Sequence, residues 1–178
     1  ERGMLLMIDE VQTGFGRTGE WFGFEHAGIR PDVVTMAKAM GNGMPIGACW
    51  ARREVAAAFE PGDHGSTYSG QPLATAAVRA VLQVMQEIDA PALARKAGER
   101  LRDALAAVPG VADVRGAGLL LAAELEPGRD AKAVNAALLR AGLVANAVTP
   151  TAIRFAPPLL VTDDEIDEAV AIVRSVLA

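Results

Sequence analysis

The stretch DVVTMAKAMGNGMPIGA, residues 32–48, is the most informative about the architecture of this chain. It begins as an apolar run, reaches a lysine at position 38, and continues at once into a loop of alternating glycines. An apolar run bounded by turn residues is typical of a buried strand, and glycines let backbone approach another group closely. The other lysines, Lys96 and Lys132, occupy polar positions of predicted helices. Lys38 therefore needs an explanation other than solubility.

Two further apolar runs, MLLMID at residues 4–9 and IGACWA at residues 46–51, have the same character. All three runs are typical of parallel strands covered on both faces. Between and after them, apolar residues at helical spacing predict helices over Pro72–Ile88 and Ala92–Val108. The predicted stripes are Leu73, Ala77, Ala80, Val84 and Ile88 on the first helix, and Leu93, Ala97, Leu101 and Leu105 on the second.

The rest of the chain follows the order strand, helix, strand, strand, helix. The strands are predicted at residues 118–125, 142–148 and 152–157, and the first of the two helices at Ala131–Arg140. The last helix begins at Thr162, which has capping-box spacing to Glu165, and its apolar face is Ile166, Val170, Val173 and Leu177. The pattern predicts an α/β chain: part of a mostly parallel sheet, then a small α+β unit.

The composition argues against several classes of partner. Lysine plus arginine number 17 and aspartate plus glutamate 22, a net charge of -5 without long blocks of one sign, so neither nucleic acid nor an anionic membrane is expected. No apolar run approaches the roughly 20 residues that span a bilayer. One cysteine, Cys49, and two distant histidines, His26 and His64, argue against a structural metal site. With no signal-peptide-like opening, we expect a cytoplasmic protein, and the abrupt start predicts the later part of a longer one.

The run GFGRTG, Gly14–Gly19, matches the G-x-G-x-x-G pattern of dinucleotide-binding folds. Asp9 and Glu10 stand at the preceding strand end and would repel a pyrophosphate, and no amphipathic helix follows to bind one. A structured glycine turn is the better interpretation. Asp9 and Glu10 lie where strands of an α/β sheet deliver ligand-binding residues, although they could simply solvate the strand end.

Three other features are candidates for chemistry. A desolvated lysine at a strand end suits Schiff-base chemistry, but Lys38 could equally extend into solvent. The segment HGSTYSGQP, residues 64–72, has the hydroxyls and glycines that hold phosphate, and also those of an ordinary helix cap. Arg154 is the lone charge in an apolar strand and either faces solvent or clamps a carboxylate.

Taken in order, five motifs resemble the class III aminotransferases, which use pyridoxal 5′-phosphate. They are IDEVQTGFGRTG, DVVTMAKAMGNGMPIGA, HGSTYSGQPLATAA, VRGAGLLLAAEL and IRFAPPLLVTDDEID. The resemblance covers essentially the whole chain and is greatest to the acetylornithine aminotransferases. It implies pyridoxal-phosphate-dependent transferase fold type I, the aspartate-aminotransferase-like fold. Residues 1–90 would be the C-terminal part of the cofactor-binding large domain, and residues 91–178 a connecting helix and the small C-terminal domain.

The resemblance also implies roles for individual residues. Lys38 matches the lysine that binds pyridoxal phosphate covalently, and Asp9 the carboxylate that pairs with its pyridinium nitrogen. Val11 would pack on the ring and Gln12 would reach the ring hydroxyl. The other implied roles are phosphate binding by Ser66 and Thr67, contributed across a homodimer interface, and binding of the substrate α-carboxylate by Arg154.

The implied reaction transfers the amino group of N-acetylornithine to 2-oxoglutarate, as in arginine biosynthesis. Ornithine, succinylornithine, 4-aminobutyrate and diamine donors stay open, as do a nucleotide-binding module and a non-catalytic interaction module. The chain departs from the family pattern at Asn42, in a glycine run, and at Ser69 and Gln71, before a helix. Because the family's earlier half is missing, the chain alone is expected to be poorly active or inactive.

Overall fold

The structure is a computed structural model that describes residues 3–178, and its contacts divide into two units. The first unit contains the residues up to Phe15 together with Glu20–Asp89. The second contains Gly16–Gly19 and Ala90–Ala178. Every helix within the described residues is too short or too polar to cross a membrane.

The first unit is built on a three-stranded sheet in the order β1-β2-β3. The strands are β1 Met7–Asp9, β2 Val33–Met36 and β3 Ala48–Ala51. Strands β1 and β2 are parallel, as predicted, whereas β3 runs antiparallel to β2. The prediction that residues 46–51 form another parallel strand is therefore wrong. A parallel crossover needs a dozen or more residues, usually with a helix, and the short connection from β2 to β3 contains only the 3₁₀ turn Lys38–Met40.

The described residues do not cover this sheet on both faces as the sequence predicted. Strand β1 is shorter than expected, and the apolar side chains in and before it are exposed, Met4 by 76 % and Met7 by 66 %. Trp50 on β3 is also half exposed. Only β2, the middle strand, has buried apolar residues, Val33 and Val34. The sheet thus presents apolar surface of the kind that a doubly covered α/β sheet buries.

Two helices complete the first unit, α1 Arg53–Ala56 and α2 Pro72–Glu87. Helix α2 begins at Pro72, which has no N–H to leave unpaired at the first helical position. The helix predicted over Pro72–Ile88 is confirmed to within a residue. Of the apolar residues whose spacing predicted it, Leu73, Val84 and Ile88 are exposed, whereas Ala74 and Met85 are buried. Helix α2 has apolar residues on more than one side, and periodicity alone does not say which side is packed.

The second unit is an antiparallel sheet in the order β4-β5-β7-β6, packed with three helices. The strands are β4 Val111–Ala117, β5 Leu120–Leu125, β6 Asn146–Ala147 and β7 Ala152–Phe155, and the helices are α3 Ala90–Ala106, α4 Ala131–Arg140 and α5 Asp163–Leu177. Sequence reasoning missed β4, whose outward residues are polar. It also predicted β6 too long.

One face of this sheet forms the core of the second unit. Val114, Ala123 and Ile153 lie opposite one another on β4, β5 and β7, and all three are buried. The predicted apolar face of α5 is confirmed, since all of its members are buried against this core: Ile166, Val170, Val173 and Leu177. On α3 the packed residues include Leu101 and Leu105 as predicted, but Ala94 replaces the predicted Leu93, which is exposed.

Close backbone packing joins α3, the β4–β5 hairpin and the segment Gly16–Gly19. A Cβ on Gly98 of α3 would overlap the carbonyl oxygen of Gly118. The guanidinium of Arg17 donates to the carbonyl oxygens of Leu119, at 3.1 Å, and Pro157, at 2.6 Å. Burial lowers the pKa of Arg17 from its ordinary value, yet an arginine stays protonated in proteins. Arg17 therefore holds the second unit together as a permanent cation.

Candidate active site

The candidate site lies at the carboxyl ends of the parallel strands β1 and β2. The strand register sets Asp9 of β1 opposite Thr35 of β2, and Lys38 begins the 3₁₀ turn that follows β2. Because parallel strands end at the same sheet edge, this register brings Asp9 and Lys38 to one place. The sequence prediction that both stand at strand ends is confirmed.

Lys38 has an unusual backbone for a residue with a side chain. Its φ is 49°, in the left-handed region that glycine prefers. Its exposed ammonium nitrogen Nζ lies 3.5 Å from Oε1 of Gln12. Strained backbone at a polar side chain is common at functional sites, and here it directs the lysine toward the turn after β1.

The carboxylate of Asp9 is held through one oxygen. Its Oδ1 accepts hydrogen bonds from the backbone N–H of Val11, at 2.9 Å, and from the hydroxyl of Thr35, at 3.2 Å. Its Oδ2 has no hydrogen-bond partner within residues 3–178. A carboxylate fixed in this way is oriented but keeps an acceptor for an N–H or N⁺–H group of a ligand.

Glu10, which the sequence grouped with Asp9, has a different environment. It is only 1 % exposed, and its carboxylate accepts backbone hydrogen bonds from Gly23 and Phe24, each at 2.9 Å. Alternation along a strand, which sends consecutive side chains to opposite faces, was the available signal that Asp9 and Glu10 differ. Glu10 therefore does not join Asp9 as a ligand-facing residue.

The segment Gly14–Gly19 forms consecutive turns, with left-handed backbone at Phe15, Gly16 and Gly19. The next element is a 3₁₀ helix, Gly23–Ala27, of 5 residues, and no α-helix begins there. A dinucleotide site requires the N-terminus of a long helix directly after the glycine motif. This context is absent from the described segment, so the glycine-turn interpretation fits it.

The predicted phosphate residues lie on a separate exposed loop between α1 and α2. The hydroxyl of Ser66 accepts a hydrogen bond from the backbone N–H of Tyr68 at 3.3 Å, and Thr67 is exposed. Within the described chain no hydrogen bond connects Ser66 or Thr67 to Lys38. Their phosphate-binding role stays a prediction.

Arg154 belongs to the second unit, on β7, opposite Ala122 of β5 and Asn146 of β6. It is half-buried on the face of the sheet away from the core. The nearest acid on this face by register, Glu124, pairs instead with Arg115 at 3.4 Å. Within residues 3–178 the guanidinium of Arg154 makes no hydrogen bond or ion pair. It is therefore available to an anionic ligand.

No group of three or more histidine, cysteine, aspartate or glutamate residues in the described part of the chain could hold a metal ion.

Asn42 lies in the loop after Lys38, where the family pattern has glycine, and its φ is 43°. Asparagine tolerates this left-handed conformation better than most residues, so the departure keeps the loop geometry.

Comparison with known proteins identifies the family of this chain. The profile of the family described as Aminotransferase class-III matches residues 1–177. The chain belongs to this family, and the fold and cofactor class predicted from the sequence, a type I fold with pyridoxal phosphate, are confirmed at the level of the family.

Curated relatives with high identity to this chain are named acetylornithine aminotransferases. The chain is 50 % identical over its whole length to the acetylornithine aminotransferase of Corynebacterium efficiens, of which it covers 44 %. It is 48 % identical, again over all of this chain and 45 % of the relative, to the acetylornithine aminotransferase of Gloeobacter violaceus. The chain thus spans less than half the length of these curated relatives.

Solved structures of other aminotransferases also superpose on this chain. The ornithine aminotransferase of Toxoplasma gondii superposes with a TM-score of 0.88 at 33 % identity, over 98 % of this chain and 43 % of that one. An S-selective transaminase from Bacillus megaterium superposes at 0.90 and 32 % identity, over 98 % and 43 %. A second Toxoplasma structure is described with partial occupancy of PLP at its active site.

Proposed function

We propose that the complete protein is a pyridoxal-phosphate-dependent aminotransferase that converts N-acetylornithine and 2-oxoglutarate to N-acetylglutamate 5-semialdehyde and glutamate. The observation that carries this proposal is the arrangement of Lys38, Gln12 and Asp9 at one sheet edge. An amine, a neutral amide and a carboxylate with one free oxygen fit the aldehyde, hydroxyl and ring nitrogen of pyridoxal phosphate. When bound, this cofactor supplies the electron sink that stabilises negative charge on the substrate carbon.

Each residue of the site then has a task. Asp9 would offer its free Oδ2 to the ring nitrogen of the cofactor and favour the charged form of that nitrogen. Lys38 would anchor the cofactor. Once the donor amine has displaced Lys38, its freed amine would be placed to move the proton of the substrate carbon that bears the donated nitrogen. Gln12 would offer its amide to the ring hydroxyl, and Val11 would pack against the ring.

Two assignments extend the site beyond this cluster. Arg154 would bind the α-carboxylate of the donor or of 2-oxoglutarate, since its guanidinium has no partner among the described residues. Ser66 and Thr67 would bind the cofactor phosphate of a neighbouring subunit in a homodimer, and their exposed loop supports such a role. An active site shared in this way would exist only in the dimer.

The two units support the proposed domain assignment. Residues 1–90 would form the later part of the cofactor-binding large domain, and residues 91–178 the connecting helix and the small domain. The contacts divide into two units between Asp89 and Ala90, which supports this boundary. The exception is Gly16–Gly19, which groups with the second unit. A cytoplasmic location remains the expectation for such an enzyme.

The choice of N-acetylornithine as donor rests on the curated relatives, whereas a solved relative is named for ornithine. A series of donors tested on the purified full-length enzyme distinguishes these possibilities: N-acetylornithine, ornithine, succinylornithine, 4-aminobutyrate and diamines. We expect the highest kcat/KM with N-acetylornithine. Strong activity with another donor and none with N-acetylornithine would overturn the substrate but leave the reaction class standing.

The cofactor and its anchor are tested together by reductive labelling. The full-length protein is incubated with pyridoxal phosphate, reduced with borohydride and digested, and its lysine peptides are mapped by mass. We expect label only on the peptide that contains Lys38. The variant Lys38→Ala should lose the label and the transamination activity, whereas the matched variant Lys96→Ala, on α3, should keep both. Label spread over exposed lysines, or an active Lys38→Ala, would refute the assignment.

A further inference from the structure

Glu10 is a buried carboxylate to which the proposed reaction gives no task. It directly follows Asp9, but its side chain is 1 % exposed, whereas that of Asp9 is exposed. Burying a carboxylate is costly unless hydrogen bonds replace its hydration. The environment of Glu10 shows how that cost is met.

Both carboxylate oxygens of Glu10 accept hydrogen bonds, and every donor is uncharged. Oε1 accepts from the backbone N–H of Phe24 at 2.9 Å, and Oε2 accepts from the N–H of Gly23 at 2.9 Å and from the hydroxyl of Thr13 at 2.5 Å. A Cβ on Gly23 would lie 3.1 Å from the Cβ of Thr13 and 3.3 Å from both oxygens, so a side chain at this position would crowd the carboxylate. The pocket around Glu10 consists of donors and is shaped for an anion.

The backbone of Glu10 closes the same turn from the other side. Its carbonyl oxygen accepts from the N–H of Gly14 at 3.0 Å, and a Cβ on Gly14 would lie 2.8 Å from that oxygen. Residues 11–13 thus form a turn that hydrogen bonds close twice on Glu10, once through its side chain and once through its carbonyl oxygen. Gln12, whose Oε1 lies 3.5 Å from Nζ of Lys38, is in the middle of this turn.

We propose that Glu10 is the positioning residue of the cofactor site: its buried carboxylate fixes the turn that presents Gln12 to the cofactor and keeps the N–H of Val11 on Asp9. This inference rests on the proposed function. Glu10 itself does not touch the cofactor. The Gly23–Phe24 backbone fixes its carboxylate, and that carboxylate holds the turn through the hydroxyl of Thr13.

The substitution Glu10→Gln tests this role with little change in shape. The glutamine amide replaces one acceptor oxygen with an NH₂ group, which would face either the N–H of Phe24 or the donors of Gly23 and Thr13. We expect the turn to loosen while the protein stays folded. The matched control is Glu25→Gln, because Glu25 also accepts a backbone N–H, that of Phe22 at 2.8 Å, but at an exposed position.

Pyridoxal phosphate is titrated into the full-length apoprotein of each variant, and its absorption spectrum is followed over pH. We expect Glu10→Gln to raise the Kd for pyridoxal phosphate at least tenfold and to shift the pH titration of the bound chromophore. Glu25→Gln should change neither by more than twofold. A folded Glu10→Gln protein with the wild-type Kd and spectrum would overturn the inference.

A second pair of variants keeps the test valid if Glu10→Gln fails to fold. Thr13→Val removes one of the three donors, and we expect it to raise the Kd severalfold, whereas Thr13→Ser should restore the wild-type value. Equal Kd values for Thr13→Val and wild type would contradict the proposed role. If the wild-type protein itself takes up no pyridoxal phosphate, the proposed function fails first, and the inference with it.

Discussion

Lys38 combines a reactive side chain with a backbone conformation that suits glycine. A left-handed backbone conformation at a residue other than glycine costs about 1–2 kcal/mol of conformational free energy. Lys38 adopts this conformation, and it carries the amine that the proposed chemistry requires. Asn42, with φ of 43°, shows that the loop contains a second left-handed residue where no catalytic task is assigned. Positive φ alone thus does not identify a functional residue, and at Lys38 it is the combination with the amine that supports a function.

This reasoning predicts opposite effects of one change on stability and activity. In the apoprotein, Lys38→Gly should unfold at a higher denaturant concentration than Lys38→Ala, by about 1 kcal/mol, because glycine relieves the left-handed strain. Both variants should be inactive. The neighbouring change Ala39→Gly, at a residue without positive φ, should destabilise instead. Equal stability of the two Lys38 variants would mean that the backbone there is unstrained.

Arg154 should reveal itself through substrate affinity. Arg154→Met removes a cation that has no protein partner among residues 3–178, so folding should be little affected, while KM for the donor should rise roughly thirtyfold, about 2 kcal/mol. Arg154→Lys should fall between, since an ammonium lacks the bidentate fork. Arg140→Met, at the exposed end of α4, is the control. An unchanged KM in Arg154→Met would remove Arg154 from the substrate site.

At the scale of elements, α3 depends on a glycine that helix propensity disfavours. A Cβ at Gly98 would overlap backbone of Gly118, so Gly98→Ala should destabilise the protein although alanine favours helix by about 1 kcal/mol. Glu99→Ala, one residue on and exposed, should be neutral or slightly stabilising. Thermal unfolding of the two variants makes the comparison, and a stabilised Gly98→Ala would show that the two backbones can separate.

The N-terminus of α5 predicts a pH dependence. Hydrogen bonds from the backbone N–H and then the hydroxyl of Thr162 lower the pKa of Glu165. Because folding lowers this pKa, Glu165 stabilises the folded state at pH values above its unfolded pKa, about 4.3. This stabilisation is lost as the pH falls through the folded pKa. Glu165→Gln should therefore lower the Tm slightly at pH 7 and not at pH 3. An equal change in Tm at both pH values would contradict this account of Glu165.

At the scale of the whole molecule, the described chain leaves apolar surface exposed. Met4, Met7 and Trp50 on the sheet and Leu73 on α2 are between 49 and 76 % exposed. The relatives are more than twice as long as this chain, and we expect additional residues of a full-length protein to cover this surface.

The chain produced alone should accordingly bind a hydrophobic dye and associate, and it should show little or no transamination with N-acetylornithine. The full-length protein should leave the dye unbound, sediment as a discrete homodimer rather than as larger aggregates, and be active. Dye fluorescence, sedimentation and a coupled assay for glutamate compare the two forms. A monomeric, dye-free and active short chain would show that residues 1–178 are sufficient.

Local patterns predicted the features whose cause is local. The helix Ala131–Arg140, the capping box of Thr162 and Glu165 and the buried face of α5 follow from apolar period and side-chain caps, which need no distant partner. Lys38 and Asp9 at strand ends were predictable for the same reason, and the order of five motifs was enough for the family.

Contacts between distant residues settled the rest. The antiparallel direction of β3, the burial of Ala74 rather than Leu73 and the enclosure of Glu10 depend on which segments meet in space. The spacing of apolar residues defines the faces of a helix or strand but not the neighbour that covers each face. A carboxylate at a strand end also has the same sequence signature whether it faces solvent or accepts three hydrogen bonds. Folding decides between them because burial and hydrogen bonding are properties of the assembled neighbours.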